Sequence, residues 1–190
     1  SLLAIKKIQD IHSYLNKALT LKTDDYEVIK ELGNISQSIG ENDSAKNFYR
    51  KAIDINRNYA PALTNLGSLE MNTGEKQEGL SLLIQAVESD PKLSPAWENL
   101  ARGYIQVGKL SEAEFSCCKS IELTPNFYSS NFLLGNILLR QKKLEQAQKY
   151  LRKTIELKPD FFLAHLNLSA VLKDLDQPKE AEIFVRKAIL

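Results

Sequence analysis

A repeat of 34 residues constrains this chain more than any other feature. Pro91, Pro125 and Pro159 stand one period apart and close the parallel phrases AVESDPK, SIELTPN and TIELKPD. At the same spacing run Leu32, Leu66, Leu100, Leu134 and Leu168, each followed by a small residue: Gly33, Gly67, Ala101, Gly135 and Ser169. Two further small series are Ala45, Gly79, Ala113, Ala147 and Ala181, then Ala52, Ala86, Ser120, Thr154 and Ala188. Inside one unit apolar residues recur three and four apart, as in Leu63, Leu66 and Gly67 and again in Leu80, Leu83, Ala86 and Val87. That periodicity predicts two helices per unit. Gly40, Gly74 and Gly108 fall between the two, where a tight turn needs a residue that accepts positive φ. The prolines end the second helix. The small residues mark places where helices come close and a larger side chain would overpack.

The pattern resembles the tetratricopeptide repeat, whose W-x-x-L-G-x-x-Y…A…A…P signature is best matched by Trp97, Leu100, Ala101, Tyr104, Gly108, Ala113 and Pro125. Five units are expected at 26–59, 60–93, 94–127, 128–161 and 162–190, with 1–25 as the end of an earlier one, Ala18 being in register with Ala52. The resemblance implies an all-α fold, a right-handed α-solenoid of stacked antiparallel helix hairpins. Arg57 replaces a closing proline, Gly79 a helix alanine, and Lys142 and Asp176 the turn glycine; local loosening is expected there. The last unit stops inside its second helix with no polar cap. The native chain is therefore expected to continue past Leu190, or this end to pack on another chain.

Composition narrows the functional classes. The chain is 43% hydrophobic and 26% charged, with 25 basic against 24 acidic residues. Such a balance gives no electrostatic footprint for nucleic acid and no basic block for a membrane surface. The longest apolar runs are too short to span a bilayer. The opening SLLAIKKIQDIHSYL alternates apolar and charged residues, unlike a signal peptide. Two adjacent cysteines, Cys117 and Cys118, suit a reducing, cytoplasmic setting.

Chemistry-bearing motifs are scarce. GYIQVGKL, Gly103 to Leu110, has the glycine and lysine spacing of a phosphate-binding loop, but Leu110 stands where Ser or Thr would hold magnesium. Its register puts Gly103 in a first helix and Gly108 in the turn, so no strand-to-helix cradle is expected. His12 and His165 lack neighbours at metal-ligand spacing, and His165 takes the place of Trp97, a packing position. Cys117 matches Tyr49, Leu83 and Leu151, a core position; Cys118 is its more exposed neighbour. No catalytic set, metal site or cofactor is expected, and the chain reads as a non-enzyme.

Recognition by shape is the alternative. In tetratricopeptide arrays the first helix of each hairpin lines a concave surface, and carrying those positions over gives four rows. They are Lys30, Thr64, Glu98 and Phe132; Glu31, Asn65, Asn99, Leu133 and Asn167; Asn34, Ser68, Arg102 and Asn136; and Gln37, Met71, Asn72, Gln106 and Arg140. The candidate partner-binding residues are Lys30, Asn34, Asn65, Asn99, Arg102, Phe132, Asn136, Arg140 and Asn167, with Met71 and Phe132 as apolar anchors. An asparagine amide both donates and accepts, so it pairs with an extended peptide backbone. Asn65 and Asn99 are similar to the start of the asparagine ladder of O-linked N-acetylglucosamine transferases, broken here at Glu31 and Leu133. The carboxylate clamp of co-chaperones is matched by Lys30, Asn34 and Asn65, but Pro95 and Asn99 stand where its later cations belong. The implied partner is a protein or peptide, not nucleic acid or membrane. Two further roles follow from the resemblance to bacterial, notably cyanobacterial, arrays and from the uncapped ends. One is presenting substrate to a glycosyltransferase or sulfotransferase domain; the other is self-association.

Overall fold

The computed structural model describes residues 24–189, and these are all helix and turn, with no strand among them. Residues 1–23, which hold His12, Ala18 and most of the expected earlier repeat, lie outside the described residues. Two compact units divide between Pro91 and Lys92. The first contains α1 (Tyr26–Ser38), α2 (Asn42–Ile55), α3 (Ala60–Thr73) and α4 (Lys76–Ser89). The second contains α5 (Ser94–Gln106), α6 (Leu110–Leu123), α7 (Tyr128–Arg140), α8 (Leu144–Leu157), α9 (Phe162–Asp174) and α10 (Pro178–Ile189). Odd and even helices pair as antiparallel hairpins, and within each unit consecutive hairpins stack. Every helix is 12–14 residues long, too short to hold in water without an apolar partner.

All five hairpin turns close the same way. In each, a residue just past the first helix donates its backbone N–H to the carbonyl five residues back: Glu41 to Ser36, Glu75 to Glu70, Lys109 to Tyr104, Lys143 to Leu138 and Gln177 to Leu172, at 2.8–3.0 Å. This arrangement needs one left-handed residue just before the donor. Gly40, Gly74 and Gly108 supply it at φ of 86, 111 and 78°. Lys142 and Asp176 adopt the same conformation, at 61 and 58°. The turn is thus retained rather than loosened, because the stacked helices on either side dictate its geometry.

The repeated leucines Leu32, Leu66, Leu100, Leu134 and Leu168 are all buried. Next to each, helix spacing is set by a pair of residues of complementary size. A Cβ on Gly33 would lie 2.5 Å from the Tyr49 ring, one on Gly67 2.9 Å from Leu83 Cγ, and one on Gly135 2.9 Å from Leu151 Cγ. In the repeat between, Ala101 adds a methyl group and Cys117 is the smaller partner. The second unit has one continuous core, running from Ala101 and Cys117 through Leu134, Ile137 and Leu151 to Leu168 and Leu172.

Gly79 corrects the expectation of local loosening. The other repeats have alanine here, yet a Cβ on Gly79 would stand 2.7 Å from both the Gly67 carbonyl oxygen and the Met71 backbone nitrogen. α3 and α4 therefore meet backbone to backbone. Their hairpin also carries a buried charge: Glu70, only 1% exposed, occupies the position of Tyr104 and receives Lys46 at 2.6 Å and Arg50 at 2.7 Å from α2. Two cations and a Thr73 hydroxyl replace the water that the carboxylate loses. Although alanine is the usual residue at that position, Gly79→Ala should lower stability by roughly 1–3 kcal/mol through overpacking, measured as a shift in the urea midpoint.

Candidate functional site

The first helices carry the expected recognition residues, and the structure sorts them. Four leave the surface: Thr64 is buried and bonded to the Ala60 carbonyl at 2.8 Å, Glu98 is buried, and Met71 and Leu133 are core residues. Met71 is therefore no apolar anchor for a partner. It packs on Gly79, where an added Cβ would stand 2.8 Å from its Cγ.

In the first unit the polar groups bind one another. Asn34 Oδ1 accepts from Asn65 Nδ2 at 2.7 Å and from the Tyr49 hydroxyl at 2.8 Å, while Asn34 Nδ2 donates to Glu31 at 2.9 Å. Lys30 also pairs with Glu31. Hydrogen bonds from Lys30 and Asn34 hold the Glu31 carboxyl below its ordinary range. Burial pushes the Tyr49 phenol up to about 12, which leaves it a neutral donor. Asn65 thus spends a donor on the neighbouring repeat and keeps its carbonyl oxygen.

The second unit contains a polar chain that the sequence reading missed. Glu98 accepts from Arg102 at 2.8 Å, Ser129 at 2.7 Å and Ser130 at 2.5 Å. Arg102 also donates to Ser129 at 3.0 Å. Ser130 lies 2.9 Å from Ser120, Ser120 3.0 Å from Ser94, and Ser94 2.6 Å from Thr124, so hydroxyls cross the core from one helix layer to the next. The signal was present in the register: Ser130 stands where Ala62, Ala96 and Ala164 do, and Ser120 where Ala52 and Ala86 do. Burial alone would push the Glu98 carboxyl up, but hydrogen bonds from Ser130, Arg102 and Ser129 outweigh it and hold the group below its ordinary value.

Along α7, residues Phe132, Asn136 and Arg140 follow at intervals of four and share one face. Asn136 Oδ1 accepts from Asn167 Nδ2 of α9 at 2.6 Å, repeating the Asn34–Asn65 bridge. Phe132 packs on Phe161, with ring centroids 4.8 Å apart. Arg140 is exposed and forms no ion pair among the described residues. Asn99 turns back on its own helix, donating to the Pro95 carbonyl at 2.9 Å. Sequence reasoning stopped the row Lys30, Thr64, Glu98 and Phe132 one period early: Leu166, 48% exposed, continues it, and Leu163, 37% exposed, flanks it. Lys173, one period after Leu139, is a second exposed cation.

The reactive residues serve packing. His165 is buried, its Nε2 lies 2.7 Å from the Pro159 carbonyl oxygen, and its ring leans on Phe184 at 5.8 Å. Burial pushes both cysteine thiols up, and Cys117 donates to the Ser130 carbonyl at 3.2 Å. Neither is an activated thiolate. Gly103 is buried in α5 and Gly108 is the turn residue, so GYIQVGKL forms no phosphate cradle. No cluster of three metal-ligating side chains occurs among the described residues.

A tetratricopeptide repeat model matches residues 31–59, 60–93, 94–127 and 128–161. The chain belongs to the tetratricopeptide repeat family. Its architecture is that of a protein-interaction scaffold. Solved structures with the same fold include MamA, at 22% identity with a TM-score of 0.75 over 83% of this chain and 92% of that one. YrrB, described as a tetratricopeptide protein with an unusual peptide-binding site, is 19% identical with a TM-score of 0.74 over 92% and 90%. Pseudomonas aeruginosa pilF is 21% identical with a TM-score of 0.80 over 96% and 84%. At these identities the likeness establishes the fold alone. No curated protein matches the chain in sequence.

Glu98 gives this site a pH signature. A carboxyl held low in the folded state adds stability that is complete above its unfolded value, near 4.5, and is lost as pH falls through the lower folded value. Glu98→Gln should cost roughly 1–3 kcal/mol at pH 7 and flatten the acid limb of a stability–pH profile below 4.5.

Proposed function

We propose that the chain is a non-catalytic scaffold that holds a peptide segment of a partner protein on the first-helix face of its second unit. The reading is carried by the order of side chains on α7 and α9. Both helices run from apolar to amide to cation: Phe132, Asn136 and Arg140 on one, Leu163 with Leu166, Asn167 and Lys173 on the other. The Asn136–Asn167 bridge holds them in register and leaves the Asn167 carbonyl oxygen to accept from a peptide N–H. Phe132 and Arg140 are eight residues apart, about 12 Å along the axis. A complementary segment places leucine-like side chains at one end and carboxylates about four residues later. Asp174, 3.7 Å from Lys142, offsets one cation and leaves Arg140 and Lys173 to select the acidic end.

The probe is a fluorescent peptide with paired leucines followed by three aspartates, compared with the same residues in reverse order. The variant carrying Leu166→Ser, Arg140→Ala and Lys173→Ala strands no internal partner, unlike changes at Asn65 or Arg102. It should bind at least tenfold more weakly, a loss of about 1.4 kcal/mol, with helicity intact. Equal affinity of wild type and variant in anisotropy titrations places recognition elsewhere.

A second reading, self-association through the last hairpin, rests on Val185. Its counterparts Tyr49, Leu83, Cys117 and Leu151 are fully buried, whereas Val185 is 38% exposed and Ile183 beside it 52%. If that surface pairs with a second copy, sedimentation velocity will show a dimer that Val185→Glu dissociates; a concentration-independent monomer excludes it.

A further inference from the structure

A hollow of about 290 Å3 opens on the second-helix side of the second unit, lined by Asn131, Lys149, Tyr150, Arg152, Lys153 and Glu156. Its origin is visible in the repeat register. In the preceding repeat the equivalents of Asn131 and Lys149 are Trp97 and Phe115, whose rings pack edge to face with centroids 6.2 Å apart. Replacing two aromatic rings by a carboxamide and an exposed ammonium group removes that filling. The volume lies at the small end of ligand pockets, roughly 300–1,000 Å3, and suits one side chain.

The lining specifies what enters. Asn131 is only 2% exposed, and its amide nitrogen spends both hydrogens, on the Pro125 carbonyl at 3.0 Å and the Phe127 carbonyl at 2.9 Å. Its Oδ1 accepts no hydrogen bond among the described residues, so an amide acceptor in the lining of the hollow has no protein donor. Three cations surround it. Arg152 is paired with Glu180 at 2.7 Å and Lys153 with Glu156 at 2.9 Å, while Lys149 has no carboxylate partner among the described residues and lies 5.7 Å from the Tyr150 ring. A bare carboxylate would satisfy Lys149 but has no hydrogen for Asn131. An indole brings an N–H for the acceptor and a π face for the ammonium groups.

We propose that this hollow is a docking pocket for a tryptophan side chain of a partner protein, seated where Asn131 and Lys149 replace the rings of the preceding repeat. The indole N–H donates to Asn131 Oδ1, and the face of the ring meets the Lys149 ammonium group. The pocket is built from α7 and α8 and is independent of the peptide face proposed above.

The probe is N-acetyl-tryptophanamide, followed by NMR on the full chain. Saturable shifts of the Asn131 side-chain amide and of backbone signals at 149–153 are expected at concentrations up to about 20 mM, the range of weak fragment binding. N-acetyl-phenylalaninamide, which has a ring but no ring donor, should bind about five- to tenfold more weakly for want of one hydrogen bond. Lys149→Phe restores the ring found in the preceding repeat, fills the hollow and should abolish the response without lowering the melting temperature. The proposal is overturned by an unresponsive wild type, by equal binding of the two probes, or by a response that survives Lys149→Phe. Preferential binding of N-acetylglutamate would overturn it in favour of a simple anion site.

Discussion

The closeness with which two helices of one hairpin meet sets everything else in this protein. Gly33 against Tyr49, Gly67 against Leu83 and Gly135 against Leu151 leave no room for even one more carbon on the first helix. Ala101 against Cys117 solves the same packing problem with the volume moved across the interface. Because packed interiors are as dense as organic crystals, that contact fixes the distance and rotation of both helices together. Once rotation is fixed, one stripe of each first helix is committed to the core and another to solvent. Only side chains that fall on the second stripe are open to a partner.

Charged and hydroxyl groups are used inside this frame only where their partners arrive with them. Glu70 replaces an aromatic position and brings Lys46 and Arg50 to it. Glu98 brings Arg102 and two neighbouring hydroxyls, those of Ser129 and Ser130. A carboxylate buried without such donors would cost several kcal/mol, so these groups come as sets. Their effect is to make each junction chemically distinct. The junction between α1–α2 and α3 brings Ala52 and Ala62 into one cluster, whereas the one between α6 and α7 is serine on serine and leads to an acidic group on the first-helix face.

The asparagines show how one residue type divides its donors and acceptor among different neighbours. Asn34–Asn65 and Asn136–Asn167 bridge neighbouring first helices through one donor and one acceptor each, and in both bridges the later asparagine keeps its carbonyl oxygen. Asn99 closes on its own helix instead. Asn131 spends its donors on a turn and keeps an acceptor beside a hollow. The amide is the same group in every case, and its neighbours decide which half remains for a partner.

The repeat, the hairpins, the turn positions and the buried leucines were legible in the sequence because each is a local requirement copied once per period. A glycine where φ is positive, a small residue where helices touch and a leucine every 34 residues need no knowledge of distant parts. What the chain of letters could not settle is how side chains share a finite number of donors and a finite volume. Thr64, Met71 and Leu133 went inward, Arg102 was claimed by Glu98, and Leu166 and Lys173 emerged as exposed residues on a face that counting had ended too soon. Tertiary structure decided these because the face a helix turns to the core is set by contacts between residues far apart in sequence.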